Sequence, residues 1–321
     1  MDIGHISPIT ETGLRPSSAL RSVRRKTAYH EVQAKTILNR VRGMSFDWSI
    51  SPYRGCIHAC TYCYARATHG YLGYDSGADF EHEIVVKTNA VELLKYEIQH
   101  PKMQGQTIVT GTVSDPYQPA EAKYRLTRDS LAVLLATNHA VSITTKSSLI
   151  LRDLDVIGEL ARGPGCTVNI TITTVDPEVA RKLEPRAPSP QQRLAAIRKL
   201  AAAGVAVGVF VGPVFPGLTD EPEHLERLAS SVAEAGGSFL IGLPLRIGSG
   251  FAEPFLTATD RDFPEVANRY RRQARGNGMD RQQVDRLTAT FDELRFRFGL
   301  NGWLPNHRRQ VPEANQLALP I

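Results

Sequence analysis

The chain has 321 residues, of which 42% are hydrophobic and 22% charged, and its formal net charge is +5. This is ample apolar material for a large buried core in one or two domains, and the mild positive charge permits a phosphate-bearing partner without requiring one. Four cysteines in so long a chain, three of them clustered, exclude a disulfide framework, and no apolar run is long enough to span a membrane.

Strand-like and helix-like segments alternate along most of the chain. Residues 1–26 are polar and interrupted by prolines, which predicts a mobile arm, and residues 29–41 have helix-like spacing. We predict strands at 46–51, 107–113, 140–145, 167–174, 205–214 and 239–243, and helices at 89–100, 127–135, 151–161, 189–203, 220–235 and 280–298.

Two helix starts carry capping boxes, in which a small polar residue and a glutamine three positions later satisfy each other's backbone amides. The first is Ser189 with Gln192, with Pro190 at the first helical position, and the second is Asp280 with Gln283.

Six strand–helix units with short connections are typical of a parallel sheet, which right-handed crossovers curl into a full or partial barrel. The predicted fold class is α/β, a partial (β/α)6 TIM-like barrel with a short N-terminal arm and a C-terminal helical extension. We expect an arm and lead-in helix at 1–40, the barrel core at 41–250 and the extension at 251–321.

The cysteines Cys56, Cys60 and Cys63 form a tight cluster directly after the first predicted strand. Three thiolates at this spacing fit a loop around a metal centre, and they are one ligand short of a closed tetrahedral site. One interpretation is an iron–sulfur cluster with one open iron. The other is a structural zinc ion, with His58, His69 or Cys166 as the fourth ligand.

The motif of Cys56, Cys60, Tyr62 and Cys63 after the first strand of a six-unit α/β chain resembles that of the radical SAM superfamily. The resemblance implies that the three cysteines hold a [4Fe-4S] cluster whose open iron binds the amino and carboxylate groups of S-adenosylmethionine (SAM). One electron then cleaves the sulfonium, and the resulting 5′-deoxyadenosyl radical abstracts hydrogen from a substrate. The protein supplies binding, orientation and exclusion of solvent.

Further motifs resemble the spore photoproduct lyase-like branch of that family, over roughly residues 36–299. They lie at 53–56, 62–66, 115–121 and 213–220. The resemblance implies that Tyr62 packs against the adenine and that Lys146 contacts the SAM carboxylate. It also places Thr112 and Ser114 near hydroxyl contacts of SAM, and Thr171 and Thr173 on the strand that lines the nucleoside.

Two residues after the second predicted strand are candidate catalytic groups. Asp115 either holds ribose hydroxyls or substrate, or caps backbone amides in an Asp-Pro turn. The lyase branch has a cysteine near this point that returns a hydrogen atom to the product radical, but residues 108–115 contain none. Tyr117 is the alternative hydrogen donor, and we expect a substrate other than a DNA photoproduct.

A second group of polar residues follows the fourth predicted strand. Glu184, Arg186 and Arg193 fit either a contact with SAM or substrate or an ion-pair network.

The expected partners are SAM, a reducing electron donor such as flavodoxin or ferredoxin, and possibly a nucleic-acid substrate. Because the first 18 residues lack the pattern of a secretory signal, and thiolates and a reduced cluster survive in a reducing compartment, we expect a cytoplasmic protein.

A competing hypothesis is a nucleic-acid-binding protein with a structural zinc site. It would use the basic N-terminal cluster and the arginine-rich C-terminal quarter, and it predicts binding to DNA or RNA that falls steeply with salt.

Overall fold

The computed structural model of the chain describes residues 25–302, so nearly all of the predicted arm lies outside the described part. The strands are β1 (Ala28–Val32), β2 (Leu38–Arg40), β3 (Trp48–Ile50), β4 (Tyr53–Arg54), β5 (Glu83–Lys87), β6 (Ile108–Thr110), β7 (Val141–Thr145), β8 (Cys166–Thr171), β9 (Ala206–Val214) and β10 (Leu240–Pro244).

The helices alternate with the strands in the middle of the chain and dominate its end. They are α1 (Ala78–His82), α2 (Ala90–Glu97), α3 (Ala120–Tyr124), α4 (Leu126–Ala136), α5 (Leu154–Arg162), α6 (Pro177–Leu183), α7 (Pro190–Ala202), α8 (Pro222–Glu234), α9 (Ala252–Asp262), α10 (Pro264–Arg275) and α11 (Arg281–Phe298). Short 3-10 helices lie at Tyr64–Leu72, Pro101–Met103 and Ser148–Asp153.

The main sheet has seven strands in the order β10-β9-β8-β7-β6-β3-β2. Six of its strands run parallel and stand in chain order, namely β3, β6, β7, β8, β9 and β10. The seventh, β2, pairs antiparallel with β3 at the edge of the sheet. The predicted parallel α/β sheet is therefore confirmed, with all six predicted strands present. Because the strands are parallel, the loops that follow β3 and β6 to β10 emerge at one edge, where function collects in such sheets.

Alternation along the strands separates an apolar face from a polar one. On β8, Val168 and Ile170 are at most 1% exposed and join the main hydrophobic core, whereas Asn169 and Thr171 point to the other face. Helices cover the apolar face. The ring of Phe291 on α11 lies so close to Gly242 of β10 that a Cβ there would be 2.4 Å from it.

Both predicted capping boxes are present, at the starts of α7 and α11. The predicted helix over residues 29–41, and with it the lead-in helix, is wrong. That stretch forms β1 and β2, and in β1 half-buried and exposed side chains alternate with the period of two that a strand requires.

A small second sheet, in the order β1-β5-β4, was not predicted. Its buried side chains form a separate cluster that includes Tyr53, Ile84 and Val86 together with Leu126 at the start of α4. Since β4 ends at Arg54, two residues before Cys56, this sheet fixes the entry of the cysteine loop.

The helices α9 and α10 form a hairpin over the edge of the sheet that carries the cysteine loop. Phe255 and Tyr270 from this hairpin join a core cluster with Phe215, Cys60 and Tyr62. A fully buried aromatic side chain stabilises the fold by about 2 kcal/mol, so this contact ties the C-terminal helices to the loop. No helix within residues 25–302 is long and apolar enough to cross a membrane.

Gly111, directly after β6, has no room for a side chain. Its φ is +97°, and a Cβ would lie 2.1 Å from the carbonyl oxygen of Thr144. Gly204 also has a positive φ, of +76°, but nothing lies within 4 Å of its Cβ position. We expect Gly111→Ala to lower the free energy of unfolding by about 3 kcal/mol and Gly204→Ala by about 1 kcal/mol, as measured by urea unfolding. Equal losses of stability would show that the contact between Gly111 and the Thr144 carbonyl does not limit the side chain at position 111.

Candidate active site

The cysteine loop follows β3 and β4 at the functional edge of the sheet. Gly55, with φ of +75°, lets the chain pass close to its neighbours, because a Cβ there would be 3.0 Å from the carbonyl oxygens of Phe80 and Glu83. The Cys56 amide then donates to the Phe80 carbonyl at 2.9 Å. Ala59 takes a left-handed conformation with φ of 57°, which turns the chain between the first two cysteines.

A buried arginine holds the far side of this loop. Arg66 is 2% exposed, and its Nε donates to the carbonyl oxygen of Cys60 at 2.9 Å. Its Nη1 donates to the carbonyl oxygens of Ser76 and Gly77, and its Nη2 donates to Glu81 at 2.6 Å. The planar guanidinium thus joins the cysteine loop to the segment that leads into α1.

The three loop thiols lie close enough to interact electrostatically, and all are free. Cys56 and Cys60 are each 7% exposed, and Cys63 is half-buried. Burial raises the pKa of Cys56 well above its usual value and that of Cys60 to about 12. Both thiols are therefore neutral without a metal, and metal binding would release their protons. Three free thiols on one short loop, two of them buried, fit the donor set of an iron–sulfur centre.

The loop after β6 packs directly against the cysteine loop. The Ser114 hydroxyl donates to the Gly55 carbonyl at 2.7 Å, and the Gln118 side chain donates to both Gly55 and Ser114. The Gln118 carbonyl in turn accepts from the Ile57 amide at 3.2 Å. The structure thus uses Ser114 to hold the loop that carries the cysteines.

Asp115 joins three segments through its carboxylate. Oδ1 accepts from the Thr145 hydroxyl at 2.6 Å and from the Tyr117 amide at 2.9 Å, and Oδ2 accepts from the Lys146 amide at 2.8 Å. His58 Nδ1 lies 3.3 Å from Oδ2. This is the amide-capping arrangement of the Asp-Pro turn, and it anchors the end of β7 to the β6 loop. Burial alone would raise the pKa of Asp115, but His58 and these donors outweigh it and lower the pKa to about 2.

Asp115→Asn is expected to reduce stability at pH 7 by about 2 kcal/mol. The folded pKa lies below the unfolded value of about 3.9, so the carboxylate stabilises the fold above that value and loses this effect as the pH falls toward 2. Urea unfolding should show a smaller difference between the two proteins at pH 3 than at pH 7. Asp285→Asn, at an exposed position of α11, is the control, with an expected change below about 0.5 kcal/mol. A difference that does not depend on pH would contradict this account.

Lys146 follows β7 and faces the cysteine loop. Its Nζ lies 5.6 Å from the ring centroid of Tyr62 and 4.0 Å from Oε1 of Glu184. Burial alone would lower the pKa of Lys146, but Cys60 and Glu184 outweigh it and the pKa is raised. The ammonium is therefore charged at neutral pH, partly exposed and close to Cys60.

The polar face of β7 and β8 lies beside Lys146. Asn169 Nδ2 donates to the hydroxyls of Ser142 at 3.0 Å and Thr144 at 3.3 Å. Thr171 lies on the same face, and Thr173 follows the strand end. The Thr173 hydroxyl is buried and has no hydrogen-bond partner among residues 25–302. A buried hydroxyl without a partner at this end of the sheet fits a site for a polar ligand.

The comparison with known families decides the class of this protein. The model of the radical SAM superfamily matches residues 50–229, more than half of the chain, with the cysteine loop at the start of the match. The chain belongs to the radical SAM superfamily. It is a radical SAM enzyme, and the family implies SAM and an iron–sulfur cluster as its cofactors.

Relatives of this radical SAM enzyme occur in bacteria and phages. An uncharacterized protein of Mycobacterium tuberculosis is 36% identical over 317 residues, which cover 96% of this chain and 92% of the relative. The "Radical SAM Nalpha-GlyT isomerase" of Pseudomonas phage M6 is 27% identical over 186 residues, or 56% of this chain and 36% of the relative.

The fold is similar to that of spore photoproduct lyase. A structure of a lyase variant with bound AdoMet and dinucleoside spore photoproduct superposes with a TM-score of 0.62, at 17% identity, over 84% of this chain and 78% of the other. This likeness concerns the fold.

Of two further predicted site residues of the radical SAM enzyme, one lies beside the cysteine loop and the other lies in the main core. Thr112 borders the cysteine loop, since its carbonyl accepts from the hydroxyl of Tyr64, the residue after Cys63. Tyr117 instead packs fully buried in the main core, where burial and then the carboxylates of Asp153 and Glu121 raise its pKa well above the usual value. The structure does not bring Tyr117 to the cysteines, so its predicted role as hydrogen donor gains no support.

The candidate fourth ligands of the zinc hypothesis also have definite places. His58 faces Asp115, and the His69 ring stacks on Tyr74 with centroids 5.0 Å apart. Cys166 is the first residue of β8, at the end of the sheet opposite to the cysteine loop. Within residues 25–302, no three Cys, His, Asp or Glu side chains lie close enough to hold a single metal ion.

Sequence reasoning missed three contacts that shape the site of this enzyme. They are the Arg66 clamp, the Gln118 bridge between two loops and the Tyr64 hydroxyl on Thr112. All three residues lie in or beside the motifs at 62–66 and 115–121, but their partners are backbone carbonyls, which a sequence pattern does not reveal.

Proposed function

We propose that Cys56, Cys60 and Cys63 hold a [4Fe-4S] cluster with one open iron, and that SAM binds this iron across the edge of the sheet. The observation that carries this proposal is a set of three free thiols on one short loop, two of them buried, with Cys60 close to the charged Lys146. When bound, the cluster supplies the electron that cleaves SAM to a 5′-deoxyadenosyl radical, which abstracts hydrogen from the substrate.

The chain's own residues would bind and orient SAM. Tyr62 would pack on the adenine, Lys146 would pair with the carboxylate, and Thr171 with Thr173 would line the nucleoside. The Thr173 hydroxyl is buried and has no hydrogen-bond partner in the described part of the chain, which supports a contact with a polar group of SAM. Thr112 and Ser114 would border the same space, and Asp115 would act by holding the loops around it rather than by touching substrate.

The Phe215, Phe255 and Tyr270 rings support a role of the C-terminal hairpin in excluding water from the site. The Phe215 ring packs edge-on against Tyr62, with centroids 5.2 Å apart, and stacks on Phe255 at 6.2 Å. Because the hairpin packs in one cluster with Cys60 and Tyr62, it would cover one side of the proposed iron–sulfur cluster.

We also propose that the main sheet curves as a partial barrel around the SAM site, with a core at 41–250 to which β2 adds an edge strand, and an extension at 251–321. Six parallel strands in chain order support this curvature. The free thiols support action in the reducing cytoplasm, with a donor such as flavodoxin or ferredoxin.

The substrate is proposed by class only. The structure of spore photoproduct lyase holds a dinucleoside photoproduct, but residues 108–115 of this chain contain no cysteine at the position where the lyase resemblance places a hydrogen donor. We therefore propose a substrate other than that photoproduct, with a nucleic acid as one candidate.

Spectroscopy of the reconstituted protein tests the cluster type. After anaerobic loading with ⁵⁷Fe and sulfide, Mössbauer spectra should show a four-iron cluster, and SAM should change the signal of one iron site. Metal analysis that finds one tightly held zinc, together with salt-dependent binding to DNA or RNA, would instead favour the nucleic-acid-binding alternative.

A further inference from the structure

A buried carboxylate lies at the centre of the contacts around Lys146. Glu184 directly follows α6, and its side chain has no exposed surface. Oε1 accepts a hydrogen bond from the hydroxyl of Tyr62, and Oε2 accepts one from Nη2 of Arg193. The ammonium of Lys146 lies 4.0 Å from Oε1.

The same contacts join separate parts of the chain. Arg193, on α7, also donates from Nη1 to the carbonyl oxygen of Thr171 at 2.9 Å, which fixes it to the end of β8. The carbonyl of Leu183, next to Glu184, accepts from the Thr61 amide at 2.9 Å. The cysteine loop, the end of β7 and the end of β8 therefore meet at one carboxylate.

The charges of this group are not balanced. One carboxylate faces two cations, Arg193 with its side chain 2% exposed and Lys146 with 16% exposed. Arg193 is enough to neutralise Glu184 in the interior. The surplus positive charge therefore stays on Lys146, which is the more open of the two cations and lies over the Tyr62 ring.

We propose that Glu184 is a positioning residue for SAM, which fixes the Tyr62 ring and the Lys146 ammonium relative to each other and to the cysteine loop. This inference rests on the proposed function, because it assigns a purpose to the two side chains that would contact the adenine and the carboxylate. An ion pair that served stability alone would need only Arg193. The contacts to Tyr62 and Lys146 are additional to it.

The test is SAM binding by Glu184→Gln, which keeps the size of the side chain and removes its charge. We expect the Kd for SAM, measured by equilibrium binding to the anaerobically loaded protein, to rise about tenfold, in line with the loss of an outer-shell partner. Iron content should stay at the wild-type level. With SAM present, the EPR signal of the reduced cluster should be broader than in the wild type. Glu178→Gln removes an exposed carboxylate from α6 that pairs with Arg181, and this variant should bind SAM as the wild type does.

A double-mutant cycle separates positioning from general destabilisation. If Glu184 acts through Lys146, then Glu184→Gln should weaken SAM binding much less in a Lys146→Met background than in the wild type. An equal factor in both backgrounds, or a Kd within twofold of the wild type, overturns the inference.

A second variant controls for an effect of the substitution on folding. Glu184→Gln/Arg193→Met leaves no unpaired Arg193 cation in the interior, and its affinity for SAM should fall by tenfold or more, since Arg193 also holds the end of β8. A wild-type protein that binds no SAM would overturn the proposed function itself. Wild-type binding with unaffected Glu184 variants would overturn only the positioning role.

Discussion

Replacing Cys60 with alanine is expected to abolish both cluster binding and SAM cleavage. The three loop thiols are the proposed ligands, and two ligands leave an iron–sulfur cluster without its third anchor. The cofactor carries the radical chemistry, so the rate of 5′-deoxyadenosine formation should fall by about 1,000-fold or more. Iron and sulfide content after anaerobic reconstitution, together with product analysis, checks both parts of the expectation.

Cys166 provides a matched control, because it is the only cysteine of the chain outside the loop. It is 5% exposed, in the core at the start of β8, and burial raises its pKa to about 12. Cys166→Ala should lower stability by about 1 kcal/mol through lost packing while the cluster and its activity stay intact. Loss of iron in Cys166→Ala, or its retention in Cys60→Ala, would contradict the ligand assignment.

Replacing Lys146 with methionine is expected to weaken SAM binding strongly without removing the cluster. The substitution keeps most of the side-chain volume and removes the charge that would pair with the SAM carboxylate. Loss of a charged hydrogen bond of this kind costs about 2 to 3 kcal/mol, or roughly 30- to 150-fold in Kd. Equilibrium binding and iron analysis on the same preparation measure the two effects separately.

Two variants accompany this measurement. Lys146→Arg keeps the charge and should retain part of the affinity. Lys199→Met, at an exposed position on α7, should leave SAM binding unchanged. If Lys146→Met binds SAM as tightly as the wild type, the carboxylate contact belongs to another residue.

The parallel sheet was predictable because its signals are local and repeated. β-branched strands such as β8 alternate with helices whose starts carry capping boxes, as at Ser189 and Asp280. The cysteine loop was predictable for the same reason, since three thiols within eight residues need no knowledge of tertiary structure.

The small sheet and the inner contacts of the site were not predictable in this way. β1 pairs with β5, which lies more than 50 residues further along the chain, so no local signal shows this pairing. The five residues of β1 are also too few for their alternation of apolar and polar side chains to exclude a helix. The sequence left Glu184 and Arg193 open between a ligand contact and an ion pair. The fold shows an ion pair whose carboxylate also reaches Tyr62, a contact across 122 residues.

Asp115 shows that a residue type alone does not decide between the two roles that the sequence left open. A carboxylate at the end of a parallel strand is typical of a catalytic group, yet here both oxygens are engaged by the Thr145 hydroxyl and by the amides of Tyr117 and Lys146. Such a role depends on where the neighbouring strand ends, which only the assembled sheet shows.

The most direct test of the central claim is the fate of SAM on the reconstituted enzyme. With iron and sulfide loaded anaerobically and dithionite as the reductant, the wild-type protein should convert SAM to 5′-deoxyadenosine and methionine in equal amounts. A variant with alanine at Cys56, Cys60 and Cys63 should form neither product above the buffer control. Formation of these products at the same rate by both proteins, or by neither, would contradict the account.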